Sequence, residues 1–233
     1  MVQFAQVTDK SLHLVIWCFT TGYEMNESVV KRNEIIAQTI IKGLEKRNMK
    51  GFYAADKEEA VKIALDLIGE GAMVTMGGTQ SVKDAGLFDA LKKGNYDFLD
   101  REEADDRRAA YLAAFDADVY LGSCNAITQD GILINIDGVG NRVAAYCYGP
   151  KKVVLLVGMN KVCADEDSAV KRARNVAATT NVQRFGRNTP CAKTGKCHDC
   201  TSPECICGQF LITRFTMTPD RIHVIIVNED LGF

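Results

Sequence analysis

Five of the nine cysteines stand in one short run, CAKTGKCHDCTSPECICG, from Cys191 to Gly208. Cys197 and Cys200 form a C-x2-C knuckle, whose two thiolates reach one metal ion from a tight turn. Four thiolates suit tetrahedral zinc or an iron–sulfur cluster. The alternative is a loop of unmetallated thiols, which would be an oxidation liability if exposed. The run holds glycines, a proline and almost no apolar bulk, so it cannot fold by burying hydrophobic surface. Metal–thiolate bonds are expected to supply that folding energy. His198, inside the knuckle, reads as an exposed residue rather than a ligand.

Two further stretches carry chemistry. In VTMGGTQSVKDAGL a strand meets a glycine turn and then a helix. Gly77 and Gly78 let the backbone approach a ligand, Thr79 and Ser81 supply hydroxyls, Gln80 lies between them, and free N–H groups point at the same spot. A plain βα turn with a hydroxyl cap is the other reading, because the motif is neither a Walker A loop nor a full GxGxxG. In GSCNAITQDGILINIDGVGNRVAAYCYG polar residues crowd a region otherwise patterned as strand. Asp130-Gly131 and Asp137-Gly138 are ordinary turn pairs. Asn125, Asn141 and Arg142 are not explained that way. A guanidinium beside Asp and Asn suits a carboxylate or phosphate ligand, and an Arg142–Asp137 ion pair is the structural alternative. Any enzyme reading needs a general base, for which Asp130 and Asp137 are the candidates. Cys124 is either a nucleophile or a buried thiol, and the latter fits better.

These residues need elements to place them. Helical patterning covers residues 26–49, the stretch 56–69 opening on an Asp56/Glu59 cap, residues 101–115, and a helix from Glu166 to about Ala178 capped by Asp165. Strands are expected at 72–76, 96–100 and 117–122, in a hairpin formed by 131–137 and 141–149, at 151–158, and in two runs after the cysteines. Helices alternating with strands argue for an α/β fold with a mixed, mostly parallel sheet and helices on both faces. Residues 188–208 interrupt that order as a cysteine-rich, metal-binding insertion packed on the main domain, 25–233. Residues 1–24 read as an N-terminal extension, ahead of Met25 and the first clean helical pattern; an edge strand at LHLVIWCF is the alternative.

Of 233 residues, 47% are hydrophobic, enough for one large domain with a true core. The formal charge of −2 leaves no basic face for nucleic acid. No stretch approaches the length of a membrane span, and no export signal is seen. The cysteines therefore belong to a reducing, cytoplasmic compartment, where clustered thiols bind metal or do redox chemistry.

The run from GSCNAITQDGILINIDGVGNR through KKVVLLVGMNKV, with GGTQSVKDAGL upstream and the tail RIHVIIVNEDLGF, resembles the lactate-utilisation (LUD-domain, LutC-like) family. The resemblance implies a fold like that of sugar-phosphate isomerases, CoA transferases and 5-formyltetrahydrofolate cyclo-ligases. Ligands in such folds sit at the carboxyl ends of the strands, where GGTQS and DGVGNR should meet. It also implies a role in bacterial L-lactate oxidation or a related redox pathway, alongside iron–sulfur protein subunits. Fold analogy does not transfer a reaction. Shorter members lack the cysteine run, so the chain reads as a cysteine-rich sub-branch. The sub-branch pattern ends at Cys207, which makes Cys191, Cys197, Cys200 and Cys207 the metal set and leaves Cys205 spare. The uneven spacing and the redox setting favour a [4Fe–4S] cluster over zinc. The function expected is binding of a small anionic metabolite beside that centre. A metabolite- or redox-sensing module, or a transferase- or isomerase-like enzyme with structural zinc, are the alternatives.

Overall fold

The computed structural model describes residues 22–233, with side chains from Ser28 onward. Chain order begins with α1 (Gly22–Glu45), β1 (Lys50–Ala54), α2 (Lys57–Ile68), β2 (Met73–Met76), α3 (Gln80–Asp84), α4 (Leu87–Lys93) and β3 (Asp97–Leu99). It continues with α5 (Arg107–Ala113), β4 (Val119–Gly122), β5 (Ala126–Thr128), β6 (Leu133–Asp137), α6 (Asn141–Cys147), β7 (Lys152–Gly158) and β8 (Val162–Cys163). α7 (Glu166–Arg172) runs through a π-helical stretch, Ala173–Ala178, into α8 (Thr179–Arg184); α9 (Pro190–Thr194), β9 (Gln209–Thr213) and β10 (Ile222–Val227) follow. α1 is already running at Gly22, ahead of Met25, and LHLVIWCF lies outside the described residues.

Six strands form a parallel sheet in the order β1-β10-β7-β4-β2-β3. Its central strands are buried on both faces, which is why they read as unbroken apolar runs. Val154, Leu156, Ile225 and Val227 pack under α2, α3 and α4. Val153, Leu155, Val157, Val224 and Ile226 face the other way, onto α1, α6 and the inner side of a second sheet. That second sheet, β8-β5-β6-β9, carries the antiparallel pairs β5–β6 and β6–β9. Its outer side is covered by Ala169, Ala173 and Ala178 of α7 and the π-helical stretch. The mixed pairing is thus confined to the smaller sheet.

Two expected elements differ. Residues 141–149 do not form the second strand of a hairpin. The Asp137 carboxylate accepts from the backbone N–H groups of Arg142 and Val143, at 3.0 and 3.3 Å, and this caps a helix instead. The expected helix at 101–115 is shorter. Asp100 turns the chain by accepting from the Glu102 N–H, and Asp106 caps α5 only from Arg107 onward. Arg101 is thereby left on a loop.

Candidate functional site: the loops after β2, β4 and β7

Because the large sheet is parallel, the loops leaving the carboxyl ends of β2, β4 and β7 gather at one edge, the usual ligand position in such sheets. Gly77 follows β2, Ser123–Asn125 follow β4, and Lys161 follows β7. Arg172 ties two of these loops together by donating to the carbonyls of Asn160 and Asn125. Tyr146 fixes the β4 loop from below, donating to the Ser123 carbonyl at 2.8 Å. Its hydroxyl crosses so close to Gly122 that an added Cβ would lie 2.0 Å away.

The loops enclose a hollow of about 40 Å³, lined by Thr79, Ser81, Ser123, Asn125, Arg142 and Lys161 among others. A wider hollow of about 320 Å³ adjoins it and shares Gly78, Asn125, Arg142, Asn181 and Arg184 with it. Arg101 and Arg187 line the wider part, so cations dominate both. Lys161 is the deepest of them. Its Nζ lies 2.7 Å from Ser81 Oγ and 2.9 Å from Ser123 Oγ, and among the described residues no carboxylate pairs with it. Burial, helped by Arg172 and Arg142 and opposed by Cys124 and Asp84, lowers this amine to about 8. Thr79 Oγ1 is buried in the same wall with no hydrogen-bond partner among the described residues.

The residues singled out from the sequence fall as follows. Gly78, Thr79, Gln80, Ser81, Asn125 and Arg142 line the small hollow, and Asn141 lines the wider one. Gly77 lies beneath Arg142, where a Cβ would stand 3.1 Å from the arginine's stem. Arg142 Nη2 donates to Asn125 Oδ1 and the Ile136 carbonyl, at 3.1 and 2.6 Å, while Nη1 has no partner among the described residues. Its Nε stands 4.0 Å from Asp137, a loose ion pair, since that carboxylate is spent capping α6. Asp130 is not brought to this site. It lies at the opposite end of β6, exposed, bonded to Thr128 and paired with Arg47 at 2.5 Å. Asp137 lines the wider hollow beside Asn141, with its carboxylate accepting from the first N–H groups of α6, whereas Asp130 lines neither hollow. Cys124 is buried, and desolvation pushes its thiol up to about 11, as expected of an inert core cysteine. Cys147, expected in an apolar strand, is exposed on α6.

The cysteine run lies against the wider hollow. Cys191, Cys197, Cys200, Cys205 and Cys207 all line one cavity of about 70 Å³. Each is at least partly covered, whereas Lys193, Lys196, His198, Asp199 and Glu204 between them are exposed. His198 bonds Thr194 at 2.7 Å. The π-helical stretch holds the run's outer side: Asn175 accepts from the Cys197 N–H, and Arg174 pairs with Asp199. Burial first, then the neighbouring thiols, push Cys207 up to about 11. Among the described residues no three metal-binding side chains form a ready-made ligand group. By chemistry the five thiols lining that cavity are donors of the kind a thiophilic metal takes.

The LUD domain family model matches residues 37–227. The chain belongs to the LUD-domain family. The crystal structure of a DUF162 family protein from Deinococcus radiodurans is similar to it at 15% identity, covering 86% of this chain and 97% of that one, with a TM-score of 0.46. No curated protein matches the chain.

The LUD match takes in every loop of the hollow except the tail, where Gly232 and Phe233 complete its wall. Lys161, Ser123, Arg184 and Arg101 are residues of this LUD domain that motif reading passes over. Lys161 had a findable signal: a lone cation directly after the most apolar parallel strand stands where such sheets bind ligands. Arg184 and Arg101 had none, since Arg101 depends on how its loop folds back and Arg184 on where the end of α8 comes to lie.

Proposed function

We propose that this LUD domain binds a small anionic metabolite at the carboxyl ends of β2, β4 and β7, and that Cys191, Cys197, Cys200 and Cys207 hold a metal centre beside it. Lys161 carries the reading. A buried ammonium among hydroxyls, with no carboxylate partner, is costly unless an anion completes the site. The unpartnered Thr79 hydroxyl and Arg142 Nη1 offer that anion further hydrogen bonds. A [4Fe–4S] cluster on the thiolates would supply one-electron chemistry, and zinc only a structural tie. Under this proposal the protein works in lactate utilisation or a related redox pathway alongside iron–sulfur subunits, a reading supported by its LUD-domain membership.

Sulfate is a clean probe, because its charge is constant across neutral and alkaline pH. Calorimetric titration should show binding that weakens as pH rises through about 8, where Lys161 loses its proton and the cationic form is lost. Absence of sulfate binding, or affinity indifferent to that range, would overturn the pocket. Anaerobic reconstitution with iron and sulfide or with zinc, followed by metal analysis, tests the thiol site.

One contact favours a sensing role as a second reading. Ile206, between Cys205 and Cys207, lies 3.2 Å by its Cα from where a Cβ on Gly138 would stand, and it lines the anion cleft as well as the cysteine cavity. A sensor should show metal-dependent anion affinity without turnover.

A further inference from the structure

We infer that Lys161 is a nucleophilic amine, which forms an imine with a small carbonyl compound bearing a carboxylate or phosphate, such as a 2-oxo acid or a phosphorylated aldehyde. This rests on the anion-pocket reading and adds a covalent step to it.

The hydrogen bonds around Nζ accommodate its neutral form. Ser81 Oγ donates to the Leu231 carbonyl at 3.2 Å, and Ser123 Oγ donates to the Cys124 carbonyl at 3.4 Å. Each hydroxyl has a single hydrogen to give. Both must therefore accept from Lys161, at 2.7 and 2.9 Å. A neutral amine has two N–H groups and one lone pair. The two hydroxyls consume the two N–H groups, and the lone pair is left over. An ammonium would carry a third hydrogen, and among the described residues no third acceptor bonds it.

Lys161 shares the hollow with Arg142 and Arg184, so a bound carboxylate or phosphate would hold its carbonyl carbon beside the amine. The hollow of about 40 Å³ admits only a small reacting end, and the adjoining 320 Å³ accepts the remainder. An amine of pKa about 8 is roughly one-tenth neutral near pH 7, and desolvated lysines of this kind are imine formers.

The step needs no oxidant or reductant. The nitrogen lone pair adds to the carbonyl carbon, the C=O pair collects on oxygen, and a proton moves from nitrogen to that oxygen. The carbinolamine then takes up one proton and expels water, leaving a C=N⁺ bond to Lys161.

Glyoxylate followed by borohydride tests this in the full chain, since reduction turns any imine into a stable secondary amine visible by peptide mass spectrometry. Labelling of Lys161 should exceed that of exposed lysines such as Lys31 and Lys193 by roughly tenfold, because no cationic hollow holds the carbonyl compound beside them. Sulfate should compete with it, and the rate should rise from pH 6.5 to 8. Lys161→Arg should abolish it. Arg142→Ala, which leaves the amine in place, should lower it by about tenfold or more through loss of a charge-assisted bond. Label spread over surface lysines with Lys161 bare, while sulfate still binds, would overturn the imine and leave the anion pocket standing. Failure of sulfate binding as well would overturn both.

Discussion

Around Lys161 every supporting side chain is anchored in the sheet or its helices. β7 is buried almost end to end, Arg172 clamps two loops, and Tyr146 braces a third from the core. Around the cysteines the apolar support is thinner: Ala178, Val182, Ile206 and Phe210 line their cavity, and Cys207 packs on the cluster that holds Ala169, Ala173 and Ala178. Residues 188–208 are tethered by the Asn175–Cys197 and Glu204–Asn188 hydrogen bonds and the Arg174–Asp199 pair, all at the exposed surface. Such surface contacts contribute about 1 kcal/mol or less apiece. The first site is organised before any ligand arrives. The second depends on what its thiols hold.

Metal removal should separate the two most strongly. Structural zinc contributes roughly 10–16 kcal/mol in small thiolate sites, far more than the surface tethers. Stripping metal from reconstituted protein should expose Lys193 and Lys196 to trypsin, with cleavage there faster by about an order of magnitude or more. The rest of the domain should stay intact. Equal cleavage with and without metal would erase the contrast.

Gly122→Ala attacks the preorganised site from below. A Cβ there would stand 2.0 Å from the Tyr146 hydroxyl and 2.8 and 3.0 Å from two carbons of its buried ring. Overpacking of this kind costs about 1–3 kcal/mol, to be read as a lowered urea midpoint. An unchanged midpoint would mean that Tyr146 is free to move and that the pocket floor is soft. Arg142→Ala also removes the bonds to Asn125 and the Ile136 carbonyl, so its distinguishing readout is sulfate binding weakened by about 1.5–3 kcal/mol, measured by calorimetry.

The same contrast governs what the sequence makes legible. The parallel sheet announces itself in KKVVLLVG and RIHVIIV, because a strand buried on both faces has no polar alternation to obscure it. The Asp56 and Asp165 caps are local chemistry and appear where the pattern places them. The glycine turn and Arg142 do reach one hollow. The route differs, though: Arg142 arrives on the first turn of a helix, which the Asp137 cap creates from a β-rich run. That cap reaches five residues ahead, beyond a simple S/T/D-x-x-E box, so the run reads as strand. Asp130 illustrates the opposite failure. It looks like a polar site residue, but its bonds to Thr128 and Arg47 close a turn at the far end of β6. β1, β5 and β8 escape notice because they are short, and tertiary pairing rather than local pattern makes them strands.

The smallest expected effect tests whether the two regions communicate. Gly138 follows the Asp137 cap, and the three atoms nearest an added Cβ there all belong to Ile206, its Cα, carbonyl carbon and Cβ at 3.2, 3.7 and 3.7 Å. A methyl group there requires the neighbour to give by a few tenths of an ångström. In metal-free protein the cysteine loop is free to give, so Gly138→Ala should change sulfate affinity by less than about 0.5 kcal/mol, the limit within which independent sites add. With metal bound, Cys207 is fixed beside Ile206 and the loop cannot yield. The strain then passes to the Asp137 cap and to Arg142 on the helix it starts. Sulfate affinity should fall by more than it does without metal, with a coupling of about 0.5–1 kcal/mol. The measurement is four titrations: wild type and Gly138→Ala, each with and without metal. A coupling of zero would make the cysteine loop a neighbour of the anion pocket and nothing more.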